Sequence, residues 1–133
     1  MNKAIYRHER GQSLIEFMLV VTLVVTLLLG VVDFALAYYK QVAIKNAVAE
    51  GGYYAIQHPD DQDGAMNQIK QELASFDPPV QDSDIVIACT GASGAEKTTI
   101  RVTYRHALMF NWIVPGARVT LGDTTAVPQI GGC

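Results

Sequence analysis

The residues best placed to do chemistry stand at the head of a long apolar run. Glu16 is the fifth residue after Gly11 and directly precedes Phe17, and residues 17–32 (FMLVVTLVVTLLLGVV) carry no charge. A carboxylate in a membrane helix costs up to ~2.5–3.5 kcal/mol at the centre and less at the interface, and it ordinarily marks function. The chemistry open to Glu16 is charge pairing. Cleavage after Gly11 would release an α-amine at Gln12, cationic at neutral pH. That amine could pair with a Glu16 carboxylate, its own or a neighbour's, and offset the burial of charge. The spacing would then set the axial stagger between packed subunits.

The element that positions these groups is a helix. At ~1.5 Å per residue, Leu14–Val32 spans ~28 Å, close to a hydrocarbon core of ~30 Å. Lys3, Arg7 and Arg10 precede the run and Asp33 follows it. The positive-inside rule therefore puts residues 1–11 in the cytoplasm and residues 38–133 across the membrane. Thr22, Thr26 and Gly30 recur at i, i+4, i+8, a stripe of small residues by which membrane helices approach closely, and Asp33 and Ala37 extend that face. In one reading both threonines bond their own i−4 carbonyls and touch only lipid. In the other, the stripe meets a partner helix. Asp33 either sits at the outer headgroup level or pairs with a basic or polar group on a partner.

Three readings compete for this segment. Ala35-Leu36-Ala37 has the form of a signal-peptidase site, but the apolar run exceeds the usual ~7–15 residues and such signals carry no acid at the junction. An ordinary signal anchor would leave Glu16 without a role. The third reading makes Glu16 the point of the segment. There the residues resemble a known family. Gly11-x-x-x-x-Glu16-Phe17 resembles the prepilin cleavage site of the type IV pilin superfamily. The string RGQSLIEFMLVVTLVVTLLLGVVDFALAYY, residues 10–39, looks like the start of the TadE-like pseudopilins of tight-adherence (Flp-type) pili. Gly30, Asp33, Phe34, Tyr38 and Tyr39 follow the family's order, with Phe17 where Tyr is more usual. The resemblance implies a minor pilin of the inner membrane, cut between Gly11 and Gln12 by a prepilin peptidase. It also implies the partners: the major Flp-type pilin, a TadF-like minor pilin, the inner-membrane assembly platform and membrane lipid. The implied role is in pilus assembly, adhesion and biofilm formation, with no nucleic acid and no small-molecule substrate.

The rest of the chain reads as α+β. No helix breaker lies between Ser13, a candidate cap, and Glu50, so a helix from 13 to about 56 is expected, with Gly51-Gly52 the first stop signal. Ala35, Leu36, Tyr39, Val42, Ala43, Ala47 and Tyr54 are expected to face a domain, while Lys40, Lys45 and Glu50 stay wet. Residues 65–76 place Met66, Ile69, Leu73 and Phe76 on one helical stripe, with Asp63 as the expected N-cap. Residues 84–90 form a short strand and 97–106 alternate. Thr98, Ile100, Val102 and Tyr104 occupy one face of the second strand and Thr99, Arg101, Thr103 and Arg105 the other. Residues 117–127 supply a third strand, expected to bulge at Gly122. The expected product is a pilin-like long helix packed on a three-stranded antiparallel sheet with one short extra helix. The organisation is a basic leader (1–11), a transmembrane and assembly helix (12–37) and a periplasmic or extracellular domain (38–133). Residues 107–116 (ALMFNWIVPG) do not alternate. They close the core under the sheet, or they expose a patch (108–114) that meets a partner or the bilayer surface; in the second case the chain could be an anchored periplasmic binding module.

Composition excludes other classes. In 133 residues, 10 basic against 13 acidic side chains give a net charge of −3, without the basic footprint of a nucleic-acid binder; mean hydropathy is +0.17. Pro59–Lys70 imitates a calcium loop but has Lys70 where a bidentate Glu is needed. Gly91–Thr98 imitates a phosphate-binding loop but has Glu96 where glycine must stand before the lysine. The histidines and two cysteines lack zinc spacing and no catalytic triad appears, so neither metal, cofactor nor enzymatic activity is expected. Cys89 and Cys133 would both lie outside the cytoplasm, where a disulfide is permitted, tying the tail to the first strand.

Overall fold

The computed structural model describes residues 9–91, 96–112 and 115–129. Helix α1 runs unbroken over Glu9–Gln57, about 73 Å at the usual rise. It is followed by α2 (Gln62–Glu72), a 3-10 turn (Asp82–Asp84), β1 (Ile85–Thr90), β2 (Lys97–Ala107), a second 3-10 turn (Met109–Trp112) and β3 (Arg118–Pro128). The strands form one antiparallel sheet in the order β1-β2-β3. This is the α+β arrangement expected, a long N-terminal helix on a three-stranded sheet with one short helix. The leader residues 1–8, the tip of the β1–β2 connection (92–95) and Cys133 lie outside the described residues. Cys89 on β1 is disulfide-bonded.

The two halves of α1 live in different surroundings. Residues 11–28 are all exposed. Among the described residues this is the one helix long and apolar enough to cross a membrane. In the second half Ile44, Ala47, Val48 and Ala55 are buried against Ile69 and Leu73 of α2, Ile100, Val102 and Tyr104 of β2, and Leu121 of β3. Those α1 positions recur at helical spacing, so one stripe meets the domain. Ala43, Ala47 and Tyr54 face the domain as expected, but nearer the apolar half the stripe is rotated from the one expected. Ala35, Leu36, Tyr39 and Val42 are exposed, and Lys40 is half-buried. The expected set followed apolar character alone, whereas the observed stripe admits Lys40 and Gln41 because both find polar partners.

Gly51 and Gly52 do not stop the helix; they let other elements approach it. A Cβ on Gly51 would lie 2.6 Å from Ile69 Cγ1, and one on Gly52 would lie 3.2 Å from Val127 Cγ1. The helix thus carries a notch where α2 and β3 converge. Gly122 is likewise a close approach and not a bulge. The β2–β3 register passes through Thr103↔Gly122 without an extra residue, and a Cβ there would meet Val102 O at 2.7 Å.

The cap of helix α2 lies two residues earlier than expected. Asp61, not Asp63, accepts the Gly64 N–H at 2.8 Å, and the Tyr54 hydroxyl donates to Asp61 Oδ2 at 2.8 Å. These two donors, Tyr54 first, hold the Asp61 carboxyl below its ordinary range. The helix closes at Glu72, with Leu73 as C-cap, yet Phe76 still reaches the core through a turn in which its N–H bonds Leu73 O. Strand β2 buries Thr98, Ile100, Val102 and Tyr104 as the alternation requires, and His106 continues the same face.

Replacing Gly51 tests the notch. Alanine gains about 1 kcal/mol in helix propensity but must displace the fully buried Ile69, and overpacking costs ~1–3 kcal/mol. Gly51→Leu is therefore expected to lower the urea midpoint of the detergent-solubilised chain clearly and Gly51→Ala slightly. An unchanged midpoint for Gly51→Leu would show that α2 does not close on α1 at this point.

Candidate assembly face of the long helix

Glu16 and Phe17 lie on the exposed half of α1, and Phe17 is 65% exposed. Gly11 is inside the helix as well, so Ser13 is not a cap. Nothing lies within 4 Å of a Cβ built on Gly11. Neither packing nor a left-handed backbone calls for glycine here, although glycine in a helix interior costs roughly 0.5–1 kcal/mol relative to alanine. Glu16 is thus presented, one turn beyond a glycine without a packing role, at the start of a bare apolar cylinder.

The small-residue stripe divides in two. Thr22 Oγ1 donates to Met18 O and Thr26 Oγ1 to Thr22 O, each at 2.8 Å. The hydroxyls are satisfied inside the helix and the face they present is their methyl groups. Farther along, Gly30 and Ala37 are half-buried and Asp33 is buried. Asp33 Oδ1 accepts the backbone N–H of Met109 at 2.8 Å. The polar partner sought for Asp33 thus comes from its own chain, the 3-10 turn after β2. Sequence reasoning missed this because a backbone donor 76 residues away leaves no mark on residue type.

Further polar clamps fix the second half of α1. Lys40 Nζ donates to Tyr104 Oη at 3.1 Å and to Asp77 O at 3.2 Å, and it lies 4.9 Å from the centre of the Tyr104 ring. The Gln41 amide makes two bonds with one residue of the sheet edge: its Nε2 donates to Gly122 O at 2.9 Å and its Oε1 accepts Gly122 N–H at 3.2 Å. At the far end, Gln129 Nε2 donates to Thr98 Oγ1 at 2.8 Å and to Ala55 O at 3.2 Å. Lys40 and Gln41 share a face with Ala37, Ile44 and Val48, and that spacing could have flagged them.

The apolar 108–114 segment resolves in part. Leu108 is half-buried and Met109 is 53% exposed; residues 113–114 and the side chains of Phe110 and Trp112 lie outside the described residues. Between this turn, β3 and the helix is an open groove of about 480 Å³ walled by Gly30, Phe34, Tyr38, Leu108, Val119 and Leu121. Of the sites rejected earlier, Asp61 of the acidic loop is engaged as the α2 cap, and no three metal-ligating side chains cluster among the described residues.

Residues 11–52 match the family model of TadE-like proteins, consistent with a protein of the Tad pilus system. The matched stretch covers the bare half of α1 and continues to the glycine notch. No curated protein and no solved structure matches the chain.

His106 supplies a pH test of the docked state. Its ring is buried. Burial, and then the charge of Lys40, push its pKa below the ordinary 6.5, against a smaller upward pull from Asp33. Between the folded value and 6.5 the unfolded chain binds the proton first. Stability is therefore expected to fall as pH drops below 6.5. Urea midpoints from about pH 7.5 to about pH 5.5, bracketing the histidine range, should decline in the native chain, and His106→Leu should flatten the decline.

Proposed function

We propose that the chain is a TadE-like minor pilin: a membrane-anchored subunit, matured by proteolysis, that takes part in initiating or capping a Tad/Flp-type pilus. The observation that carries this reading is the Gly11–Glu16 spacing at the mouth of a helix whose residues 11–28 are all exposed among the described residues. The basic leader stays in the cytoplasm, the apolar half of α1 spans the inner membrane, and the α+β domain stands in the periplasm. A membrane prepilin peptidase cuts between Gly11 and Gln12. The new α-amine and the Glu16 carboxylate then form the charge pair that lets the helix enter a bundle of pilin helices. Phe17 and the methyl faces of Thr22 and Thr26 supply the lateral contact.

The work is mechanical and templating, without turnover. The partners are the major Flp-type pilin, a TadF-like sister subunit, the peptidase and the assembly platform. The domain is bonded to α1 through Lys40, Gln41 and Gln129, so the position of the helix in a bundle would direct where the domain projects.

Intact mass and N-terminal sequencing of the mature protein test the reading. The expected start is Gln12. Gly11→Leu is expected to abolish cleavage while leaving the domain's urea midpoint unchanged, since a side chain at that position meets nothing. A start at Tyr38 would make the product a secreted domain, and an uncut native chain a plain anchored module; either result contradicts the proposal.

A further inference from the structure

The end of the apolar run and the base of the domain are at the same height, and this carries an inference resting on the membrane-spanning reading of α1. Leu14–Val32 spans ~28 Å, so Asp33 is the first residue beyond a ~30 Å hydrocarbon core, and the headgroup layer adds only ~5–7 Å on each side. Phe34 therefore lies in that layer, and Tyr38, ~8 Å from the hydrocarbon edge along the axis, stands at its outer margin. Both side chains are exposed, Phe34 at 73% and Tyr38 at 64%. The Met109–Asp33 hydrogen bond hangs the 3-10 turn of the domain at this level, and Met109 and Val119 expose apolar surface beside it.

We propose that this foot of the domain is a lipid-binding surface: Met109 and Val119 dip into the outer headgroup layer, and the groove between β3 and α1 holds an acyl chain of a bilayer phospholipid. The depth selects the occupant, because the groove is continuous with the lipid-facing surface of α1. The chemistry agrees. The groove walls are almost wholly carbon; Asp33 also lines the groove, its Oδ1 taking the Met109 N–H and its Oδ2 buried without a hydrogen-bond partner among the described residues. Aromatic rings at the rim are the side chains that membrane interfaces favour. The domain is thus held to the bilayer at its base as well as through its helix, and lipid must leave the groove when the subunit enters a fibre.

Depth-resolved quenching tests this in the full chain reconstituted into phosphatidylcholine bilayers. The native chain has one tryptophan. In a Trp112→Phe background, Met109→Trp and, independently, Val119→Trp place reporters on the foot, and Val24→Trp places one in the middle of the apolar run. An interfacial group sits ~5–10 Å into the headgroup–acyl boundary, so bromines high on the acyl chain should quench the foot reporters about twofold more than bromines near its end. Val24→Trp should show the reverse order. Foot reporters open to aqueous acrylamide and untouched by lipid bromines would overturn the proposal. So would blue-shifted reporters that neither quencher reaches, which would mean that protein fills the groove. If Val24→Trp also escapes the lipid bromines, the membrane-spanning reading itself fails, a result distinct from failure at the foot alone.

Discussion

One rod must satisfy two solvents. Half of α1 is a bare apolar cylinder and half is a scaffold whose inner stripe is buried under a sheet and a short helix. In water the bare half would drive aggregation; in lipid or among other apolar helices it is at rest. Everything else in the structure answers to that division. An unbroken helix suits an apolar surrounding, where a free backbone group would cost several kcal/mol, and the domain packs on the far half, leaving residues 11–28 exposed. Glu16 is an exposed carboxylate among the apolar side chains of the bare half.

The junction of the two halves is held by polar contacts. Apolar packing sets the distance between helix and sheet but tolerates sliding. Asp33 on Met109 N–H, Lys40 on Asp77 O and Tyr104, and the paired bonds of Gln41 with Gly122 each have one satisfactory register. Together they set the rotation and height of the domain on the rod. A carboxylate at the end of an apolar run is thereby turned inward, and the glycine notch at residues 51–52 lets α2 and β3 close on the same helix.

Patterns with a period were legible in the sequence. The apolar run, the 3.6-residue stripe that begins at Met66 and Ile69, and the alternation of residues 98–104 each announced their element, although α2 closes at Glu72, short of Phe76. The family match over residues 11–52 covers the stretch in which glycine, acid and apolar helix coincide. Long-range contacts were not. Gly51-Gly52 reads locally as a stop signal and Gly122 as a bulge, yet both are glycines because another element passes within contact distance of their Cα. Asp63 and Asp61 are equivalent caps by type, and it is Asp61 that takes both the Gly64 N–H and the Tyr54 hydroxyl across the loop. The lining face of α1 was rotated because Lys40 and Gln41 count as polar until their partners are known.

The central claim is that the Glu16 carboxylate is kept for its charge. The direct measurement is the amount of this subunit recovered in sheared, purified pili from cells carrying Glu16→Gln or Glu16→Asp, with membrane levels and N-terminal maturation measured in parallel. Charge pairing predicts that Glu16→Gln is inserted and matured but absent from the pilus fraction, while Glu16→Asp retains part of the native level. Native recovery of Glu16→Gln would contradict the account.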